Sequence, residues 1–348
     1  MTVQYDNLDD LTTGGEEIPI LDLGPYLAGE ATALDALAAE LRHAQENVGF
    51  YFTINHGVPR ALITQAYDQL RRLFALPLEE KMKLRVNETS LGFVPSKSSI
   101  YVTSTVNENT KPDLNETILT ARERAPDHPS IIAGRRFHGP NQWPDEAKVP
   151  GYREKMLEYY AAMENLAYKM LPVYARALDL PADYFEPFFA DPMWTTRNSI
   201  YPAVTAEDNQ FGISPHCDHG FITLLPLSEE PGLQIQTQSG RWLAAEQVEG
   251  AIIINTGEFM NRWTNERFIA TPHRVVPPKN DRYSTAFFFN PTWDTVADPL
   301  PTCVSDDNRA RFEPMRMIDY LQWYFDRNFS KVGGGRQEDY APGEAISR

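Results

Sequence analysis

Ser214-Pro215-His216-Cys217-Asp218-His219-Gly220 runs directly into Phe221-Ile222-Thr223-Leu224-Leu225. His216 and Asp218 are two residues apart, so on extended backbone both side chains share a face and Cys217 points the other way. The surroundings read as β. From Pro192 onward, short runs of β-type residues alternate with Pro, Gly and Asn, at 197–201, 222–227, 233–236, 251–255 and 285–289. Short strands punctuated by turns predict a sandwich or barrel.

The first half has a different texture. Leu34, Leu37, Leu41, Ala44 and Val48 recur at helical spacing and predict a helix that Gly49 stops, followed by an aromatic strand over 50–54. Leu62, Ile63, Ala66, Tyr67, Leu70, Leu73 and Phe74 mark a second helix, closed by Pro77. The longest helix is predicted over 152–178, with Met156, Tyr159, Met163, Leu166, Met170 and Tyr174 on one stripe. Residues 87–142 are polar and irregular, which predicts loops with short strands, and 314–329 is helical again. The expected class is α+β, a β core flanked by helices drawn mainly from the N-terminal half. The expected divisions are an acidic leader over 1–17, a helix-and-strand region over 18–150, and a long helix with linker over 151–190. The β core follows over 191–295, then a C-terminal helical segment and tail over 296–348.

Composition narrows the classes of function. Of 348 residues, 42% are hydrophobic and 23% charged, which is ordinary for a globular chain. With 32 Lys and Arg against 48 Asp and Glu the net charge is −16, which disfavours a nucleic-acid partner. Two cysteines, Cys217 and Cys303, form no disulfide framework and suit a reducing compartment. No apolar run approaches the roughly 18 residues of a membrane span. The start, with Asp6, Asp9, Asp10, Glu16 and Glu17, lacks the basic and apolar stretches of a signal peptide. A soluble, cytoplasmic protein with no membrane partner is expected.

His273, in Thr271-Pro272-His273-Arg274-Val275, completes a candidate ligand set with His216 and Asp218. Two imidazoles and one carboxylate on one face of a ferrous ion leave three positions open, enough for O₂ and an organic ligand together. Alone, the pair His216-x-Asp218 is more often a hydrogen-bonded structural histidine in a β core than a metal site. Arg282-Tyr283-Ser284 separates the two readings. Arg282 and Ser284 share a face at the start of the apolar run Thr285-Ala286-Phe287-Phe288-Phe289, and a guanidinium with a hydroxyl makes a carboxylate receptor.

The ordered set His216-x-Asp218, His273, Arg282-x-Ser284 resembles the Fe(II)- and 2-oxoglutarate-dependent oxygenases, isopenicillin N synthase-like branch. Ile18-Pro19-Ile20-Leu21-Asp22-Leu23 and 49–58 resemble that branch's N-terminal region, and Arg197 through Tyr201-Pro202 its R-x-N-x-Y-P strand. His216 through Leu225 resembles its H-x-D-x-G-x-x-T-L-L segment, Ile254-Asn255-Thr256-Gly257-Glu258 its V-N-x-G-D turn, and Asn290-Pro291 the end of its Arg-x-Ser strand. The likeness runs from about residue 18 to 293 and departs at Ser199, where the pattern usually has Asn. It implies a double-stranded β-helix, or jelly roll, as the core. It implies that His216, Asp218 and His273 bind Fe(II), and that Arg282, Ser284 and Tyr201 hold 2-oxoglutarate. The implied reaction, with O₂, oxidises an unactivated C–H bond of a small organic substrate by hydroxylation, desaturation or ring closure, releasing succinate and CO₂.

Two alternatives stand beside this reading: an oxidase of the isopenicillin N synthase kind that uses O₂ without 2-oxoglutarate, and a metal-binding jelly roll without turnover. Neither the substrate nor the oligomeric state is written in a motif. His219 is expected to face away from the metal, at the surface or behind the ligands, and His56 to be a structural hydrogen-bonder. His43, His128 and His138 are given no chemistry, and Asn115-Glu116 a structural role. Phe288 and Trp293 are weighed as pocket-lining or core residues. Lys97, Lys111 and Arg122 are read as solvated surface charge.

Overall fold

A computed structural model of the chain describes residues 17–329; the expected leader before Glu17 and the tail past 329 lie outside the described residues. In chain order the strands of the first half are β1 (Ile20–Asp22), β2 (Phe50–Ile54), β3 (Gly92–Val94) and β4 (Glu116–Ala121). Those of the second half are β5 (Met193–Tyr201), β6 (Ile213–His216), β7 (Ile222–Pro226), β8 (Leu233–Gln236), β9 (Trp242–Ala244) and β10 (Ile252–Thr256). After them come β11 (His273–Val275), β12 (Arg282–Asn290), β13 (Val296–Ala297) and β14 (Met315–Arg316). The longer helices are numbered with the short ones as α1 (Gly24–Leu27), α2 (Ala33–Asn47), α3 (Arg60–Phe74), α4 (Leu78–Met82) and α5 (Pro129–Ile132). They continue as α6 (Tyr152–Ala177), α7 (Glu258–Trp263) and α8 (Met317–Asn328).

Two sheets form the core. The larger has eight strands in the order β1-β2-β10-β7-β12-β5-β4-β3, and the smaller has four in the order β6-β11-β8-β9. Apart from the parallel β1–β2 pair, the pairings of both sheets are antiparallel. Side chains from both sheets line one chamber between them, so the core is a jelly roll. The first half contributes strands as well as helices: β1 and β2 extend one side of the large sheet, and β4 and β3 the other. Their backbone pairing covers edges that would otherwise be open to another chain.

β12 shows how the large sheet is buried on both faces. Arg282, Ser284, Ala286 and Phe288 line the chamber. The alternate residues Thr285, Phe287 and Phe289 are buried on the opposite face. There α6 covers them: Tyr159 donates from its hydroxyl to the Thr285 carbonyl, and the Tyr168 ring packs edge-on to Phe289 with centroids 5.3 Å apart. The stripe predicted on this helix is buried from Met156 through Tyr174, with α2 and α3 packed alongside. Arg42 of α2 donates to the Ala177 carbonyl at 2.6 Å, satisfying an orphan acceptor at the end of α6.

Two glycines set how closely the strand ends approach. A Cβ on Gly257 would lie inside the van der Waals envelope of the Gly220 backbone, and a Cβ on Gly220 would strike the side chain of Asn290. These are the glycines that follow Asp218 and Asn255, so their contact draws the two loop segments together. Gly257→Ala has no flexible neighbour to displace, and overpacking of this kind costs roughly 1–3 kcal/mol. Its denaturant midpoint should fall accordingly; a midpoint equal to that of the unaltered protein would show that this contact does not constrain the fold.

Candidate active site

His216 ends β6 and His273 begins β11, and the two are register partners in the small sheet. Asp218 follows just beyond β6. The ligand atoms of His216, Asp218 and His273 lie within 4.8 Å of one another, and all three residues are buried. Each Nε2 faces the same carboxylate oxygen, Asp218 Oδ1, at 3.8 Å from His216 and 3.5 Å from His273. The other ring nitrogens are held from behind. Nδ1 of His216 donates to the Ser214 carbonyl at 2.8 Å, and Nδ1 of His273 to the Thr271 carbonyl at 3.1 Å, which leaves both Nε2 lone pairs toward the centre. The second oxygen of Asp218 accepts from Thr223 Oγ1 at 2.6 Å and from Asn255 Nδ2 at 2.8 Å, so Oδ1 alone is presented.

The electrostatics suit a cation. Burial works to raise the Asp218 carboxyl, but His273, His216 and the Thr223 hydrogen bond together hold it well below the usual carboxylate range. Burial, with the charge of His273, pushes His216 down to about 3. Burial opposes the charged form of His273 too, yet Asp218 outweighs it and leaves that imidazole raised. A charged carboxylate between imidazoles is a donor set of mixed nitrogen and oxygen, the kind that holds ferrous iron while leaving positions open. Rings flank the set: Tyr101 lies over His216 with centroids 4.4 Å apart, and Phe50 meets His273 edge-on at 5.3 Å.

The chamber beside these ligands encloses about 790 Å³, its mouth included. At one end stands Arg282, 2% exposed, whose Nε and Nη1 have no hydrogen-bond partner among the described residues. Its guanidinium lies 5.1 Å from the ring centroid of Tyr201, its register partner on β5, and Ser284 lines the same wall. A buried guanidinium with free N–H groups is costly unless an anion arrives to pair with it. Ser199 lies opposite Ser284, and its hydroxyl is shared with Thr117 Oγ1. All six residues expected at the site therefore border one chamber.

Some expectations change. His219 is not at the surface: it is buried, lines the chamber, and packs against Phe288, Tyr324 and Phe325. β6 ends at His216, so strand alternation does not extend to His219. Burial holds this imidazole down to about 4. Phe288 lines the chamber, whereas Trp293 packs against His138 and the Arg135 guanidinium. His56 is structural, bonding the Gly250 carbonyl at 2.8 Å and accepting from the Val58 amide. Glu116 pairs with Lys81, and Asn115 Nδ2 donates to the Gly212 carbonyl. Lys111 and Arg122 spend their charge on Glu207 and on Glu164 with Asp191, and Lys97 is exposed.

Other side chains at the site lie outside the expected set. Thr223 and Asn255 stand inside recognisable motifs, but only the folded chain shows both on Asp218 Oδ2. Arg197 lies in a motif without an assigned role and lines the chamber. Tyr101, from the irregular segment, and Tyr324, Phe325 and Phe329, at the C-terminal end of the described chain, complete the wall.

Comparison with known proteins agrees with this geometry. Residues 18–146 match the family described as non-haem dioxygenase in morphine synthesis N-terminal, and residues 191–291 the 2OG-Fe(II) oxygenase superfamily. The 2-oxoglutarate-Fe(II) type oxidoreductase hxnY of Emericella nidulans is 34% identical over 330 residues, covering 92% of this chain and 93% of the relative. The crystal structure of a putative 2OG-Fe(II) oxygenase family protein from Caulobacter crescentus superposes with a TM-score of 0.77 at 28% identity, covering 89% of this chain and 98% of that one. A full-length Neurospora crassa protein, crystallised in complex with alpha-KG and thymine, gives a TM-score of 0.77 at 25% identity, covering 89% of this chain and 97% of that one. Sequence and fold agree with the His-Asp-His cluster: this chain belongs to the 2-oxoglutarate- and Fe(II)-dependent oxygenase superfamily, and is a dioxygenase of small organic molecules that works with Fe(II), 2-oxoglutarate and O₂.

Proposed function

We propose that His216, Asp218 and His273 hold the Fe(II), and that Arg282, Ser284 and Tyr201 seat the 2-oxoglutarate whose other end reaches the metal. The observation that carries this is the pairing of an unsatisfied, buried Arg282 guanidinium with a ligand cluster in the same chamber. When bound, the iron and its cosubstrate supply the oxidation of a C–H bond, coupled to decarboxylation of 2-oxoglutarate to succinate and CO₂. The protein's share is positioning. Thr223 and Asn255 fix the Asp218 carboxylate, Ser214 and Thr271 fix the imidazole rings, and Arg282 fixes the far carboxylate by charge and by its planar fork. The rings of Tyr101, Phe50 and Phe288 keep bulk water from the reacting carbon. Residues 191–295 carry the chemistry in this reading, while segments of 18–150 and 296–348 close the chamber and shape the substrate site. The acidic surface and unpaired cysteines favour work on a small molecule, not nucleic acid, in a reducing cytoplasm. No helix among the described residues is long and apolar enough to cross a membrane.

Anaerobic Fe(II) plus 2-oxoglutarate should give a weak visible charge-transfer band, and in air each product should be matched by one succinate. His216→Ala, Asp218→Ala and His273→Ala should each lose the band and turnover while circular dichroism shows a folded chain. Substrate-dependent O₂ uptake indifferent to 2-oxoglutarate would instead identify an oxidase.

Arg282→Lys keeps the charge but loses the fork, so the apparent KM for 2-oxoglutarate should rise steeply. Ser284→Ala removes one hydrogen bond to a charged group, worth about 1.5–3 kcal/mol, and should do less. Unchanged 2-oxoglutarate dependence in both variants would place the clamp elsewhere.

Asn255→Ala leaves Asp218 Oδ2 with Thr223 alone. Loss of a supporting bond behind a metal ligand typically costs about 10–100-fold in affinity. Competition of the variant against a calibrated chelator should show that drop, and unaltered affinity would mean that Asn255 does not orient the carboxylate.

A further inference from the structure

The chamber holds a second buried cation that the cosubstrate does not account for. Arg197 lies on β5 on the same face as Tyr201 and four residues from it, which is roughly 13 Å along the strand at about 3.3 Å per residue. Arg282 stands at the Tyr201 rung, so the two guanidinium groups issue from separate rungs of one wall. A five-carbon diacid pinned to the metal and to Arg282 leaves Arg197 facing the remainder of the space.

Arg197 is 7% exposed and makes no ion pair at salt-bridge distance among the described residues. Its Nη1 donates to the Tyr101 hydroxyl at 3.2 Å and its Nη2 to Asn115 Oδ1 at 2.9 Å, both neutral groups, while Nε has no partner. Asp113 acts on it only through space; that carboxylate is bound by the Ser214 amide and hydroxyl and by the Ser99 hydroxyl. The charge of Arg197 is met by its two hydrogen bonds, by the Phe329 ring 5.6 Å away and by Asp113 at a distance, with no anion among the described residues in direct contact. An incoming carboxylate would give it its first ion pair. Room exists for one. The register partner of Arg197 on β12 is Ala286, the smallest side chain on that wall. Around it the chamber is apolar and aromatic, with Leu119, Phe288, Phe325 and Phe329. His219, nearby on the same lining, has a buried Nδ1 with no partner.

We propose that the substrate is a small organic monocarboxylate with an apolar ring or chain, its carboxylate received by Arg197 and a second polar atom by His219 Nδ1. The apolar body then lies against Phe288, Tyr324 and Phe325, with a C–H bond turned to the metal ligands. This proposal rests on the oxygenase assignment above. It adds that Arg282 and Arg197 sort two different carboxylates, one belonging to the cosubstrate and one to the substrate.

The test uses the full chain, loaded anaerobically with Fe(II) and 2-oxoglutarate. Aromatic and alicyclic monocarboxylates are titrated beside their own primary amides, with perturbation of the charge-transfer band and calorimetry as readouts. At least one acid should bind roughly tenfold or more tightly than its amide, and the same acid should accelerate succinate release in air. Arg197→Met should abolish the preference for acid over amide, and Arg197→Lys should restore part of it. A purely structural Arg197 would instead weaken acid and amide alike and leave their ratio unchanged. Retention of the band with ordinary 2-oxoglutarate dependence shows that a variant is folded; if Arg197→Met lacks it, Arg197→Lys and Arg197→Gln supply the ratio. The proposal is overturned if no acid outbinds its amide, or if the preference survives loss of the guanidinium. Absence of the band in the unaltered protein would refute the oxygenase site assignment itself, a separate result.

Discussion

The site depends on the register of β12 between β5 and β7. Side-chain direction in a strand has a period of two, so a slip of one residue would turn Arg282, Ser284, Ala286 and Phe288 out of the chamber and drive Tyr283, Thr285, Phe287 and Phe289 into it. Nothing intermediate is available. Both faces of the strand are committed, one to the chamber and one to the core beneath α6, so the slip would cost twice. The long pairing with β5, from Arg282 opposite Tyr201 to Asn290 opposite Met193, holds the alignment over the whole strand. The aromatic core beneath α6 thereby keeps Arg282 turned into the chamber.

Polar groups at the centre follow a different logic. Each ligand side chain has one atom engaged by the scaffold and one left for the metal: Ser214 and Thr271 carbonyls take the far imidazole nitrogens, and Thr223 with Asn255 takes Asp218 Oδ2. Burial makes each of these bonds stronger than it would be in water, and makes an unpaired group expensive. Among the residues that line the chamber, the buried side-chain atoms without a partner are the nitrogens of Arg282, Arg197 and His219. They lie in the same chamber, where the proposed cosubstrate and substrate carboxylates would meet them.

Much of this was legible in the chain. The Arg282-x-Ser284 pair could be read because strand periodicity is local: residues two apart share a face whatever the rest of the chain does, whereas Asp218 joins His216 from the loop just beyond the end of β6. The helices over Leu34–Val48 and Leu62–Phe74 could be read for the same reason. His219 could not. Its direction depends on β6 ending at His216, and that end is set by where the loop must turn to let Gly220 meet Gly257. Tyr101 and Tyr324 were equally hidden, since a polar irregular segment and a C-terminal helix carry no periodic sign that Tyr101 will lie over His216 with Tyr324 packed against it. The strands of the first half, β1 to β4, were expected as local elements, but their places at the sides of the large sheet come from pairing with β10 and β5 far along the chain.

Residue order by itself pointed to the chemistry: two imidazoles, a carboxylate and a guanidinium with a hydroxyl, in an order that resembles a known family, while the choice between oxygenase and oxidase stayed open. Tertiary structure decided what that chemistry can act upon. The far end of the chamber is assembled from Arg197 and Leu119, from Phe288, and from Tyr324, Phe325 and Phe329, residues brought together across most of the chain's length. Side chains so distant in sequence become neighbours only through sheet register and helix packing, so no local pattern could announce them. The physical reason is one of range: periodicity orients a side chain relative to its own strand, whereas a substrate site is a property of the space left between elements.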